Sequence, residues 1–414
     1  MRNIKDYGAV GDGIALDTAP IQKAIDDGGI VYIPEGNYRI GTIYLKSNGG
    51  LHLAPGAVLV GSHEREDYNA DDFCLQNEVF TEEWVTGAHL IVAVEQENIS
   101  ITGFGTIDGQ GRYWMNESNM WGNIDYAPNE ERPGQMIYIC ECRNVRISDV
   151  NIVNGPYWHL FLHGCEDVFL RGLNIKGDRP RWTNDGIDID CCARVTVSDC
   201  MIDVGDDGIT IRAHKKTLQK KEGICEQVVV TNCIIHSARD YGVRVGVGSG
   251  LVRRCILSNL VIEAPNRGGV GIMGRWSSES KYATQIDGVM FSNINIKAKF
   301  PFDIFSAAGD APLPNECYVR NIEFNHIFMA PVEASNLSGN TEVPLENIRF
   351  SQVTVNLSDK SDDMTQIFNV RNCRGIEFDN LHTVMGKDDA QIKMVVAESC
   401  EKVMVNGCDV TYKS

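Results

Sequence analysis

The sequence has no run of 18 or more apolar residues, so it lacks the uninterrupted stretch that a membrane-spanning helix requires. It has 14 cysteines but no CxxC unit and no Cys/His spacing of the zinc-ligating kind, which argues against a structural zinc. Basic residues are outnumbered, 38 Lys and Arg against 56 Asp and Glu, for a net charge of −18. That balance disfavours general binding to nucleic acid or to an anionic membrane. An anionic substrate would need a local basic pocket inside an acidic field. The opening residues 1–7 contain no apolar h-region, so as the chain stands a cytoplasmic location is expected. The scattered cysteines are then expected to be small buried apolar residues in a reducing compartment.

Helical periodicity is also nearly absent. What is present is length and apolar content: 414 residues, 43% hydrophobic, enough for a large core and too much for a disordered chain. A unit of alternating apolar and polar residues, closed by Asn, Asp or Gly, recurs along most of the sequence. Copies include residues 143–152, 166–175, 194–200, 227–233, 288–294, 347–351, 375–380 and 402–406. The spacing is on the order of 30 residues, as in solenoids. Period-two alternation with β-branched enrichment reads as short strands. The expected fold is therefore all-β, a coil of short parallel strands stacked rung on rung around a shared apolar interior. Irregular repeat length places variable loops on one side, where a site would be built.

Only residues 17–28 read as a helix. Asp17 or Thr18 can cap it, Pro20 fits its first turn, and Gly28 or Gly29 ends it. Ile21, Ala24 and Ile25 share one face, suited to covering the open end of the solenoid. No Pro/Ser/Gly-rich linker divides the chain, so a single domain over 1–414 is expected, with about 1–30 as an N-terminal cap region.

Two acidic motifs stand out, Thr183-Asn184-Asp185-Gly186-Ile187-Asp188 and Val204-Gly205-Asp206-Asp207-Gly208. Asp185 and Asp206 lie about one solenoid turn apart, and neighbouring parallel strands are about 4.8 Å apart. Asp185, Asp206 and Asp207 would then share a small area, and mutual repulsion should raise at least one pKa. That is the environment of a general acid near neutral pH. Asp-Gly is also a turn former, and clustered carboxylates can bind Ca²⁺.

Residues 6–13 (Asp-Tyr-Gly-Ala-Val-Gly-Asp-Gly), the helix, residues 31–38 and the two acidic motifs resemble glycoside hydrolase family 28, the polygalacturonases. The resemblance covers nearly the whole chain and implies a single right-handed parallel β-helix and inverting hydrolysis of pectin-derived oligosaccharides. It implies Asp206 as general acid, with Asp185 and Asp207 positioning and deprotonating water. Neither a metal nor a cofactor is expected, and the partner is an oligosaccharide. With no leader, a short imported oligomer and exo-type cleavage are favoured; residues 112–133, with Trp114 and Trp121, could block one end of a cleft.

The chain departs from the family pattern in three places. Asn-Thr-Asp becomes Thr183-Asn184-Asp185. The His of Gly-His-Gly is replaced by Tyr241. Arg-Ile-Lys, whose cations hold a uronate carboxylate, becomes Gly271-Ile272-Met273. Tyrosine cannot titrate near neutrality as histidine does. Arg212, Arg244 and Arg275 are the candidate replacements for the lost cations. His159, Trp182 and Tyr241 are further substrate-binding candidates, and Trp158 and Trp276 could stack on sugars. The basic stretch 214–221 could steer an anionic oligosaccharide. A neutral or unusual pectic sugar is the rival substrate. A β-helix lyase and a non-catalytic carbohydrate-binding solenoid are the rival classes.

Overall fold

The computed structural model describes residues 1–77, 79, 83–116, 127–128, 130–179, 183–308, 312–313, 315–384 and 392–411. The fold is a right-handed parallel β-helix, with 57% of residues in strands. The chain forms two compact units, residues 1–206 with 216–222, and residues 207–215 with 223–414.

In the first unit, strands Ile91–Val94, Ile137–Cys140, Leu160–His163 and Ile187–Asp190 stack in parallel register. Ile137, Leu160 and Ile187 align on the inner face, as do Ile139, Leu162 and Ile189. A second set, Arg143–Ser148, Glu166–Arg171 and Ala193–Ser198, aligns Val145, Val168 and Val195 in the same way. Period-two alternation therefore works as read: every second side chain enters the coil. The outer face of the first set is also covered. Tyr138, Phe161 and Cys191 pack with Val85, Tyr157, Trp158 and Leu218 into a second apolar cluster. Trp158 is thus a packing residue, stacked on Tyr157 at 4.7 Å.

The second unit is built from longer strands: Ile224–Ser237, Leu251–Arg275, Gln285–Ala307, Tyr318–Pro331, Leu345–Asn356 and Cys373–Val384. Their Asn corners explain the repeat. Asn232, Asn259 and Asn293 have φ near +55°, the left-handed region that Asn tolerates best among residues with a side chain. Their amides also bond from rung to rung, Asn293 to Asn259 and Asn259 to Asn232, each at 3.2 Å. The repeat's Asn is therefore both a bend and a ladder.

Phe291, Phe324, Phe350 and Phe378 stack through the interior, with ring centroids 4.8, 4.5 and 5.1 Å apart. Phe350 also meets Phe302 and Phe368. Phe350→Ala should cost about 3–5 kcal/mol, because it opens a cavity and leaves the four surrounding rings without their central partner. Urea denaturation checks this; a midpoint unchanged from wild type would refute it.

Helix α1 (Thr18–Asp26) buries Ile21, Ala24 and Ile25, as its face predicted. Its capping differs from expectation. Asp17 sits at the N-cap, but its carboxylate accepts the Val10 and Gly11 N–H groups, at 2.6 and 2.9 Å. The Thr18 hydroxyl accepts the Gly41 N–H instead. Both side chains tie the helix to neighbouring backbone, because those N–H groups had no ladder partner to satisfy them. Among the described residues no helix is long and apolar enough to cross a membrane.

All 14 cysteines are free thiols, and eleven are buried. His89 is fully buried, stacked on Tyr138, with Nδ1 2.7 Å from the Gln135 carbonyl and Nε2 2.8 Å from the Asn77 amide oxygen. Burial outweighs those acceptors and lowers its pKa to about 4. The unfolded chain, with a histidine pKa near 6.5, binds that proton more readily. Stability from this residue is therefore complete above about pH 6.5 and falls as the pH drops toward about 4, by roughly 3 kcal/mol. His89→Gln should flatten that part of a stability–pH curve; an equally steep curve in the variant would sink the assignment.

Candidate active site

Of the acids read from the sequence, Asp185 and Asp206 belong to the first unit and Asp207 to the second. In the first, Asp185 precedes strand Ile187–Asp190 and Asp206 follows strand Met201–Val204. Both are nearly fully buried, and each brings a carboxylate oxygen within 4.8 Å of the other's. Asn184 explains how the two turns are held. Its side-chain oxygen accepts the Gly205 and Asp206 N–H groups at 2.8 and 3.0 Å, and its amide donates to the Asp178 carbonyl. The Thr183 N–H donates to Asp206 Oδ2. The exchanged order of Thr183 and Asn184 thus still clamps the next turn through the asparagine.

His159 is fully buried beneath Asp185. Its backbone N–H and its Nδ1 both lie 2.9 Å from the Asp185 carbonyl, while the Gly155 N–H reaches Nε2 at 3.1 Å. An Nδ1–H tautomer satisfies both contacts. The imidazole therefore positions the Asp185 backbone and offers no face to a ligand. Trp182 lies outside the described residues, as do Trp121 and half of the 112–133 stretch. Trp114 is described and buried, edge-on to Tyr68. Trp276 is half exposed.

In the second unit, Asp207 is 1% exposed. Its Oδ1 accepts the Tyr241 N–H at 3.1 Å, and its Oδ2 accepts Arg244 Nη1 at 3.0 Å. Arg244, proposed from sequence as a uronate anchor, thus has its charge engaged by an acid of the candidate site. Arg275 is buried. Its guanidinium donates to the backbone carbonyls of Ser278, Ser280 and Pro312, which makes it the clasp of a loop. Arg212 is buried in strand Ile209–Ala213.

Tyr241 lies in the same unit. Its ring is buried, and its hydroxyl donates to Asp303 Oδ2 at 2.6 Å. A Cβ added to Gly271 would lie 2.7 Å from the Tyr241 ring, and one on Gly268 closer still. The ring thus lies against the backbone of Gly271, which the resemblance matches to the arginine of Arg-Ile-Lys. Met273, at the lysine position, is buried. Arg267 lies over the ring at 5.3 Å from its centroid, with Nε 3.3 Å from the hydroxyl and 3.5 Å from Asp240. Burial, then Asp303, pushes the Tyr241 hydroxyl far above the usual phenol range. Burial raises the Asp303 pKa, and the bond from Tyr241 and the charge of Arg267 act against that rise. Sequence reading missed both Arg267 and Asp303. The available signal was the polar residue in Phe302-Asp303-Ile304, which alternation turns outward.

The basic stretch is anchored. Lys220 pairs with Glu95 at 2.6 Å, Lys221 pairs with Glu166, Thr217 bonds the Gln76 carbonyl and Leu218 is buried. His163, Asp190 and Cys191, all buried, form a second group besides the acids whose ligand atoms could surround a metal ion.

The model of glycosyl hydrolases family 28 matches residues 33–304. The chain belongs to this family. It is 25% identical over 342 residues to an exo-poly-alpha-D-galacturonosidase of Dickeya chrysanthemi, across 71% of this chain and 55% of that one. It is 24% identical over 318 residues to rhamnogalacturonase A of Aspergillus niger, across 71% and 64%. A probable polygalacturonase of Vitis vinifera is 28% identical over 222 residues, across 51% and 44%. The chain thus spans about half the length of several curated relatives. Among solved structures, the family 28 exopolygalacturonase of Yersinia enterocolitica superposes with a TM-score of 0.73 at 18% identity, covering 99% of this chain and 79% of that one. An exopolygalacturonase of Thermotoga maritima gives 0.70 at 20%, covering 98% and 92%. At these identities the structural likeness speaks for the fold.

Proposed function

We propose that this family 28 chain hydrolyses glycosidic bonds in pectin-derived oligosaccharides, with exo-type cleavage and inversion at the anomeric carbon. The observation that carries the reading is the pair of buried carboxylates, Asp185 and Asp206, with oxygens within 4.8 Å, at the positions where the family keeps its acids. Asp206 protonates the leaving oxygen, and Asp185 and Asp207 hold and deprotonate water. The Thr183 N–H and the Asn184 clamp supply the rigid turn that such a geometry needs. The pair is closer than the roughly 6.5–9.5 Å of most inverting enzymes and nearer the roughly 5–5.5 Å of retaining ones. The anomer formed first, read by proton NMR, is therefore a direct test of inversion.

The exo-type reading draws on the similarity to the exo-poly-alpha-D-galacturonosidase named above. Release of single sugars from the first minutes supports it; a ladder of intermediate lengths would replace it with endo cleavage. Water appears in every hydrolytic product mass. Ultraviolet-absorbing unsaturated products would instead establish a lyase and overturn the proposal.

A further inference from the structure

One outward-facing row runs through the second unit: Thr210, Arg244, Gly271, Asp303, Asn336, Asn369 and Val396 are register partners in successive strands. It is the row on which the Arg-Ile-Lys arginine would stand, and its chemistry differs from a uronate track. Gly271 presents no side chain, because the Tyr241 ring occupies the space that a Cβ would need. Tyrosine for histidine and glycine for arginine are thus one coupled exchange: with this ring in place, a side chain at 271 has no room.

The next rung brings a carboxylate, Asp303, partly buried and fixed by the Tyr241 hydroxyl at 2.6 Å. Two cations nearby are engaged. Arg244 bonds Asp207 at 3.0 Å, and Arg267 faces Asp240 at 3.5 Å while lying over Tyr241. Farther along, Asn369 donates to Asn336 at 3.0 Å, Gln366 donates to Asn369 at 2.6 Å, and Arg371 pairs with Glu398 at 2.8 Å. These residues line a cavity of roughly 440 Å³. Amides and a carboxylate recognise hydroxyls, which both donate and accept. A carboxylate beside a second carboxylate is repelled.

The geometry points to Tyr241 and Asp303 as specificity-determining residues that admit an uncharged pyranose unit beside Gly271 and exclude a free uronate. The unit is either a neutral sugar or an esterified uronate, with hydroxyls donating to Asp303. The inference rests on the hydrolase reading and names its substrate class.

The test uses calorimetric binding to the full chain carrying Asp206→Asn. The probes are a galacturonan tetramer, its methyl ester, and a galactan tetramer. At least one uncharged probe should bind at least tenfold tighter than the free acid, and comparing the ester with galactan identifies which source is used. Asp303→Asn, similar in size and uncharged, should shrink the preference at least threefold; a residue serving only structure would leave that ratio alone. Restoring the family pattern with Tyr241→His, Gly271→Arg and Met273→Lys should move preference toward the free acid. Tightest binding of the free acid, or a ratio unmoved by Asp303→Asn, overturns the inference while leaving the hydrolase reading intact. If wild type cleaves no pectic oligosaccharide and the silenced chain binds none, the hydrolase reading falls and takes this inference with it.

Discussion

Asp206→Asn should lower turnover on the cleaved oligosaccharide by about 10³-fold or more, because an amide cannot deliver the proton that the leaving oxygen needs. The fold should survive. The amide keeps the shape of the carboxylate and retains an oxygen acceptor for the Thr183 N–H. The Asn184 clamp works through the Asp206 backbone, which the substitution leaves in place. Product formation by mass spectrometry and the urea midpoint of the same preparation give the two readouts. Full activity in the variant would remove Asp206 from the mechanism. A collapsed midpoint would make it a structural residue.

Asp207→Ala should fail in both respects. Its carboxylate is buried and receives both Arg244 and the Tyr241 N–H. Removing one partner of a buried ion pair leaves a desolvated charge, at a cost of about 3 kcal/mol. It also releases the backbone at Tyr241, so loss of turnover by about 10²-fold or more should accompany the drop in urea midpoint. Asp207→Asn retains an acceptor for the Tyr241 N–H and should recover most of the stability with little of the activity. If Asp207→Ala unfolded at the wild-type urea concentration, the Arg244 contact would contribute nothing to the fold. The contrast between adjacent acids is the sharper observation: one is expected to serve chemistry alone, the other chemistry and structure together.

Residues that act through local rules were legible in advance. The alternation of Val145 and Ile147, or Val195 and Val197, named strands because one face must leave water. Helix α1 was legible from three apolar residues on one face, and the acids from Asp-Gly turns recurring about one rung apart. The caps of that helix were not legible, because Asp17 and Thr18 each have several unsatisfied N–H groups within reach, and only the folded loop selects among them. Arg275 illustrates the same limit. Its cation was readable, but the carbonyls that surround it arrive from residues 278–312 along a path that alternation does not encode. Trp158 and His159 were equally ambiguous, because a covering layer lies outside the coil at their position.

The sequence by itself determined the class of fold and the family, since these depend on periodicity and on motifs contiguous in the chain. Tertiary structure alone decided what the departures mean. Tyr241, Gly271 and Asp303 are far apart in the chain and meet only because successive rungs stack about 4.8 Å apart. At that spacing the Tyr241 ring fills the space beside Gly271, and its hydroxyl meets Asp303 on the next rung.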